Sequence, residues 1–190
     1  MKENLAYLSL MADGMNKEQL LKELTFPLSK KKVNQFVLSD LCSAEDLMDL
    51  SVYPDRKIAF HAAWVLEYLI YSNPERFKNV YANFLSFYLV QKNLSCQRHF
   101  TKILMLLTES SNRHLLENID LEKLTERTFE LLIDTLTPIA VKANCMNILF
   151  NMREVFTWIT EELKEQVLFL LKNGTPAIQS RGKNILKRLK

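Results

Sequence analysis

Between sparse punctuation, apolar residues recur at spacings of three and four, as in Val80, Phe84, Phe87 and Tyr88, or Leu124, Phe129, Leu132, Ile133 and Leu136. That period lines up one side of an α-helix, and no stretch makes a defensible strand. Tyr53-Pro54, Asn73-Pro74, Thr137-Pro138 and Thr175-Pro176 each set a capping-capable residue or a turn before a proline suited to the first helical position. Asn173-Gly174 reads as a helix stop. Ser43-Ala44-Glu45-Asp46 and Thr160-Glu161-Glu162 read as helix starts, with acids placed to meet the helix dipole. The pattern predicts about ten or eleven helices joined by short turns.

Four segments superimpose on their paired aliphatics: Val65-Leu66, Ile103-Leu104, Ile148-Leu149 and Ile185-Leu186. Eight residues before each second aliphatic stand Ile58, Cys96, Val141 and Ile178; four before stand Ala62, Phe100, Cys145 and Gly182. Offsets of −8, −4, −1 and 0 share one narrow helix face, so all four segments carry the same buried stripe. The second aliphatics are separated by 38, 45 and 37 residues, and each interval holds another amphipathic helix. The unit is therefore a helical hairpin, and stacking hairpins makes one continuous core. Second helices are predicted near 56–72, 95–110, 138–153 and 176–189.

Asp55-Arg56-Lys57-Ile58-Ala59-Phe60-His61-Ala62-Ala63-Trp64-Val65-Leu66-Glu67-Tyr68-Leu69 resembles the second helix of a HEAT repeat. Pro138-Ile139-Ala140-Val141-Lys142-Ala143-Asn144 and Pro176-Ala177-Ile178-Gln179-Ser180-Arg181 resemble it too. The resemblance covers roughly residues 54–190, and the Cys96 segment departs from it, lacking the proline and the small residue. It implies an all-α, right-handed α-α superhelix. The expected organisation is a single HEAT-like domain over 1–190, with irregular N-terminal helices in 1–53 and the repeat region in 54–190. The His-Ala-Ala-Trp-Val-Leu-Glu and Val-Lys-Ala-Asn-Cys-Met segments are also similar to a family of short HEAT-like proteins from Bacteroidetes that sometimes carry the label adenylosuccinate lyase. The lyase itself is more than twice this length and holds its catalytic serine in a Ser-Ser-x-Met-Pro-x-Lys-x-Asn loop. Here the double serine Ser110-Ser111 runs into Asn112-Arg113-His114, so no adenylosuccinate cleavage is expected.

Composition narrows the function classes. The three glycines, Gly14, Gly174 and Gly182, are too few and too scattered for a phosphate-cradling loop. The net charge of +3 does not by itself point to nucleic acid. Cys42, Cys96 and Cys145 sit among apolar residues and read as reduced core thiols. Met1–Tyr7 lack the apolar run of a signal peptide, and no segment approaches a membrane span, so a cytoplasmic, soluble protein without membrane contact is expected. His61 and His99 share offset −5 and read as structural, and with His114 they form no set that would bind a metal or activate a nucleophile. Asp120, Glu122, Glu126, Glu130, Asp134, Glu161, Glu162 and Glu165, interleaved with Lys123, Arg127 and Lys164, read as solvated outer faces. No catalytic residue, cofactor or metal is predicted.

Opposite the stripe, offsets −9, −6 and −2 give Lys57, Phe60, Trp64; Ser95, Arg98, Lys102; Ala140, Ala143, Asn147; and Ala177, Ser180, Asn184. Second helices of HEAT-like solenoids line the concave surface, so the resemblance makes these an inner wall. Phe60, Trp64, Arg98, Lys102, Asn147 and Asn184 are the expected partner-binding residues. If the wall is open, Trp64→Ala should leave stability nearly unchanged, whereas covering by the N-terminal helices would make it costly. The expected function is a non-catalytic scaffold for a protein partner. The alternative is nucleic-acid binding of the kind found in HEAT-like glycosylases of alkylated bases, which this chain resembles in fold. Arg181, Lys183, Lys187, Arg188 and Lys190 form a basic C-terminal segment, read as a capping helix whose cations meet its own negative end, with a patch for nucleic acid or an acidic partner as the alternative.

Overall fold

The computed structural model describes residues 15–39 and 41–189. The segment Met1–Tyr7, Gly14 and Lys190, on which readings above rest, lie outside the described residues. Among the described residues the chain forms ten α-helices, two 3-10 segments and no strand. The helices are α1 (Lys17–Thr25), α2 (Lys30–Leu38), α3 (Ala44–Ser51), α4 (Arg56–Ser72), α5 (Tyr81–Val90), α6 (Leu94–Leu107), α7 (Leu121–Ile133), α8 (Ile139–Met152), α9 (Ile159–Leu171) and α10 (Pro176–Arg188). The 3-10 segments are Pro74–Val80 and Arg113–Leu116.

Local chemistry accounts for most boundaries. Asn16 closes a capping box with Gln19, and Ser29, Ser43 and Asp120 each accept from the backbone N–H three residues on. Asp55, rather than the Tyr53-Pro54 turn before it, caps α4 by accepting from the amides of Lys57 and Ile58. Pro176 occupies the first turn of α10. Pro138 stands just outside α8, and Thr137 turns its hydroxyl to Asp134 instead of capping. Three expectations shift. Asn73-Pro74 opens a 3-10 segment, α9 starts at Ile159 ahead of Thr160, and α6 stops at Leu107, with the Thr108 amide and hydroxyl both donating to the Leu104 carbonyl at its end. Gly174 follows α9 without a left-handed backbone; a Cβ there would stand 2.6 Å from the Leu170 carbonyl oxygen, so its role is close approach.

The second helices α4, α6, α8 and α10 lie side by side in chain order, with α3, α7 and α9 against α4, α8 and α10, and with α1 and α2 against α4. The four-fold stripe is the core: Ile58, Ala62, Val65 and Leu66, then Cys96, Phe100, Ile103 and Leu104, then Val141, Cys145, Ile148 and Leu149, then Ile178, Gly182 and Ile185 are all buried. Only Leu186, on α10, is half-buried. At Gly182 an added Cβ would meet Leu171 Cδ2 at 3.0 Å and Val167 Cγ1 at 3.1 Å, so the missing side chain lets α9 close on α10. The hairpin of α5 and α6 is built differently. Its Cα atoms scarcely come within 8 Å, unlike those of the other three hairpins, and the stacked rings of Phe84 and Phe100, 4.8 Å apart, fill the space. Ile133 and Leu136, which continue the apolar period of α7 in the sequence, are exposed: α7 ends at Ile133, and Asp134 accepts from the Leu136 amide in the turn beyond.

Cys42, Cys96 and Cys145 are buried, and burial pushes the Cys96 and Cys145 thiols up to about 12, as expected of protonated core thiols. The eight carboxylates read as outer faces are exposed, several in pairs three residues apart such as Arg127–Glu130 at 2.8 Å. No helix among the described residues is long and apolar enough to cross a membrane.

Candidate partner-binding face

The surface of the second-helix layer is narrower than the helical wheel alone suggests, because α4, α6 and α8 are each flanked on both sides. On α4, the end of α1 covers one flank: His61 Nδ1 donates to the Leu24 carbonyl at 2.8 Å, and Lys57 Nζ donates to the Thr25 carbonyl at 3.1 Å. On the other flank stands α6. Phe60 lies between the two histidines, its ring centroid 5.6 Å from His61 and 5.2 Å from His99, and continues through Trp64 at 5.9 Å to Tyr68, 6.4 Å beyond. Phe60, Trp64 and Tyr68 are half-buried, so each ring has one side on its neighbours and part of its surface open. The two histidines are buried and structural: one ties down the end of α1 and the other reaches a carboxylate.

That carboxylate is Glu67, one residue past the stripe and 3 % exposed. His99 Nδ1 donates to its Oε2 at 2.6 Å, while the Lys102 ammonium pairs with its Oε1. Burial alone would raise the Glu67 carboxyl, but the hydrogen bonds from His99 and Lys102 outweigh it and hold the group below the ordinary glutamate value. Tyr71 completes the rung, donating its hydroxyl to the Lys102 carbonyl at 3.0 Å. Lys102 is thus a half-buried structural cation whose charge is largely spent on Glu67.

Between α6 and α8 runs a polar seam. Asn144 Nδ2 donates to Thr101 Oγ1 at 3.0 Å, Asn147 Nδ2 to Met105 Sδ at 3.2 Å, and Asn151 Nδ2 to Thr108 Oγ1 at 3.2 Å. Asn147 is therefore not on the open wall: it is 8 % exposed, with Arg181 Nη1 donating to its Oδ1 at 3.1 Å from α10. Of the six expected partner-binding residues, Arg98 and Asn184 are exposed, Phe60, Trp64 and Lys102 half-buried, and Asn147 buried. Among the described residues no carboxylate stands within ion-pair distance of Arg98, and no group of three or more His, Cys, Asp or Glu side chains is placed to hold a metal ion. Sequence reasoning missed Glu67 as the residue that ties α4 to α6. The available signal was a lone acid inside a largely apolar helix, which demands a partner.

Stacked antiparallel helix pairs with one shared core, repeated down the chain, define a helical-repeat scaffold. The model of the HEAT repeat domain family matches residues 17–189, from α1 through α10, and the chain belongs to that family. No curated protein and no solved structure matches it.

Proposed function

We propose that the chain is a non-catalytic scaffold that holds a protein partner on the concave face lined by its second helices. The observations that support this most are an exposed Arg98 on α6, with no carboxylate at ion-pair distance among the described residues, and a row of half-open rings, Phe60, Trp64 and Tyr68, on the neighbouring α4. Aromatic and arginine side chains on one face are the composition of a binding hot spot. Asn184, exposed on the last second helix, extends the same face with a hydrogen-bonding amide. A nucleic acid is the weaker partner for this wall: with Lys102 neutralised by Glu67, and Ala140, Ala143, Ala177 and Ser180 following, the face lacks the continuous cationic track that a phosphate backbone requires.

Arg98→Glu is the cleanest test, since the side chain is exposed and, among the described residues, free of ion pairs. Its melting behaviour should stay within ~0.5 kcal/mol of wild type. Capture of the partner from native cell extract, quantified against wild-type protein, should fall at least about tenfold for a lost hot-spot contact. Trp64→Ala should also reduce capture, at a stability cost of ~2 kcal/mol, about half that of a fully buried tryptophan, because its ring leans on the core. Undiminished capture by both variants would place the partner elsewhere.

A further inference from the structure

A second feature of the second-helix layer lies away from the Phe60–Trp64 row. The ends of α6 and α8, the turns that follow them, and α10 enclose an open pocket of about 480 Å³ lined by four arginines, Arg113, Arg153, Arg181 and Arg188. Two glutamates, Glu109 and Glu154, share the lining and leave two net positive charges. Glu154 is committed to one side, pairing with Arg113 at 3.0 Å and with Arg153 at 3.6 Å. Among the described residues Arg181 and Arg188 have no carboxylate at ion-pair distance. Both are nevertheless held in place. Arg181 donates one N–H to Asn147, and Arg188 lies over the buried Phe150 ring at 4.0 Å from its centroid, with Arg153 over the same ring at 3.6 Å. A guanidinium stacked on a ring keeps its in-plane N–H groups for other acceptors, and its fork is already oriented. The cost of ordering these side chains is therefore met before any ligand arrives.

We propose that this arginine pocket is a receptor for a single phosphoryl group, carried on a small phosphomonoester or on a phosphorylated side chain. Charge selects the phosphoryl group over a carboxylate: a phosphomonoester carries about −1.5 to −2 at neutral pH, matching the residual charge, and presents three acceptor oxygens to convergent forks. Volume selects a compact group with something attached, since ~500 Å³ lies within the range of small-ligand sites and exceeds what a bare oxyanion fills. Surroundings select against a polyanion, because Glu109 and Glu154 stand in the same wall and the neighbouring positions Ala143, Ala177 and Ser180 are uncharged. The site is separate from the protein-binding reading above and stands or falls without it.

The test is calorimetric titration of the full chain with inorganic phosphate, O-phospho-L-serine and a short phosphoserine peptide. Chloride at matched ionic strength, L-serine and the unphosphorylated peptide are the controls. Saturable binding of the phosphorylated probes alone is expected. Arg181→Gln and Arg188→Gln should each weaken it about tenfold or more, the scale of a lost hydrogen bond to a charged group. Glu154→Gln, which removes the competing carboxylate, should tighten it. Melting curves distinguish a lost site from a lost fold; Arg181, exposed and outside the Phe150 stack, keeps the test decisive if Arg188→Gln unfolds. Equal affinity for phosphoserine and its peptide would identify a small phosphomonoester as the source, and a tenfold preference for the peptide a phosphorylated chain; either supports the site. Heats no larger than those of chloride, wild-type affinity in folded Arg181→Gln, or affinity that grows with the length of a single-stranded oligonucleotide and exceeds that for phosphoserine would overturn it.

Discussion

Phe100→Ala should lower the stability of the fold by ~4 kcal/mol, because it removes a fully buried ring and leaves a cavity that the neighbours cannot close. In a chain of this size that corresponds to a fall in Tm of roughly 8–16 °C, measured by circular dichroism. At the equivalent offset the other hairpins carry Ala62, Cys145 and Gly182, where truncation would remove little or nothing. The difference comes from α5, which stands away from α6 and touches it through Phe84 stacked on Phe100. Phe100→Leu, which refills much of the space, should recover more than half of the loss. A Tm within about 3 °C of wild type for Phe100→Ala would mean that α5 collapses onto α6 and that the ring is not what spaces them.

Glu67→Gln should cost ~3 kcal/mol near neutral pH, the lower end for removing one partner of a buried ion pair, since the Lys102 head reaches solvent and His99 keeps a neutral hydrogen bond. The effect should depend on pH with a definite sign. The Glu67 carboxyl is held below its ordinary value in the folded protein, so its contribution is complete above the unfolded value near 4.5 and is lost as pH falls through the folded value. Urea titrations should therefore show wild type and Glu67→Gln well separated at pH 7 and converging progressively below about pH 4.5. A constant separation down to pH 3 would show that the charge of Glu67 is not what joins α4 to α6.

The repeat was legible because core positions obey helical geometry: a residue at offset −8, −4, −1 or 0 must face inward whatever its neighbours, and those of α4, α6 and α8 do. Helix starts were legible where one side chain does the capping, as at Ser43, but the capping residue was not where a local bond competes, as when Thr137 turns its hydroxyl back to Asp134. The wall opposite the stripe was only half legible. A wheel says which residues point away from the core but not how closely the next helix stands, and that spacing buries Asn147 beneath Arg181 and pulls Lys102 onto Glu67. The arginine pocket left no periodic trace, since Arg113, Arg153 and Arg188 converge from three segments at unrelated offsets. The basic C-terminal segment did contain Arg181 and Arg188, and the structure divides it: these two line the pocket, while Lys183 and Lys187 remain in solvent.

The claim that the second-helix face holds a protein is tested most directly by placing a photo-reactive amino acid singly at Arg98, at Asn184, and at Glu126 and Glu165 on the first helices, all four exposed. After irradiation in native cell extract, Arg98 and Asn184 should crosslink to one and the same protein, displaced by excess unlabelled chain, and Glu126 and Glu165 should not. Crosslinks to a common, displaceable partner from Glu126 and Glu165, with none from Arg98 or Asn184, would contradict the account.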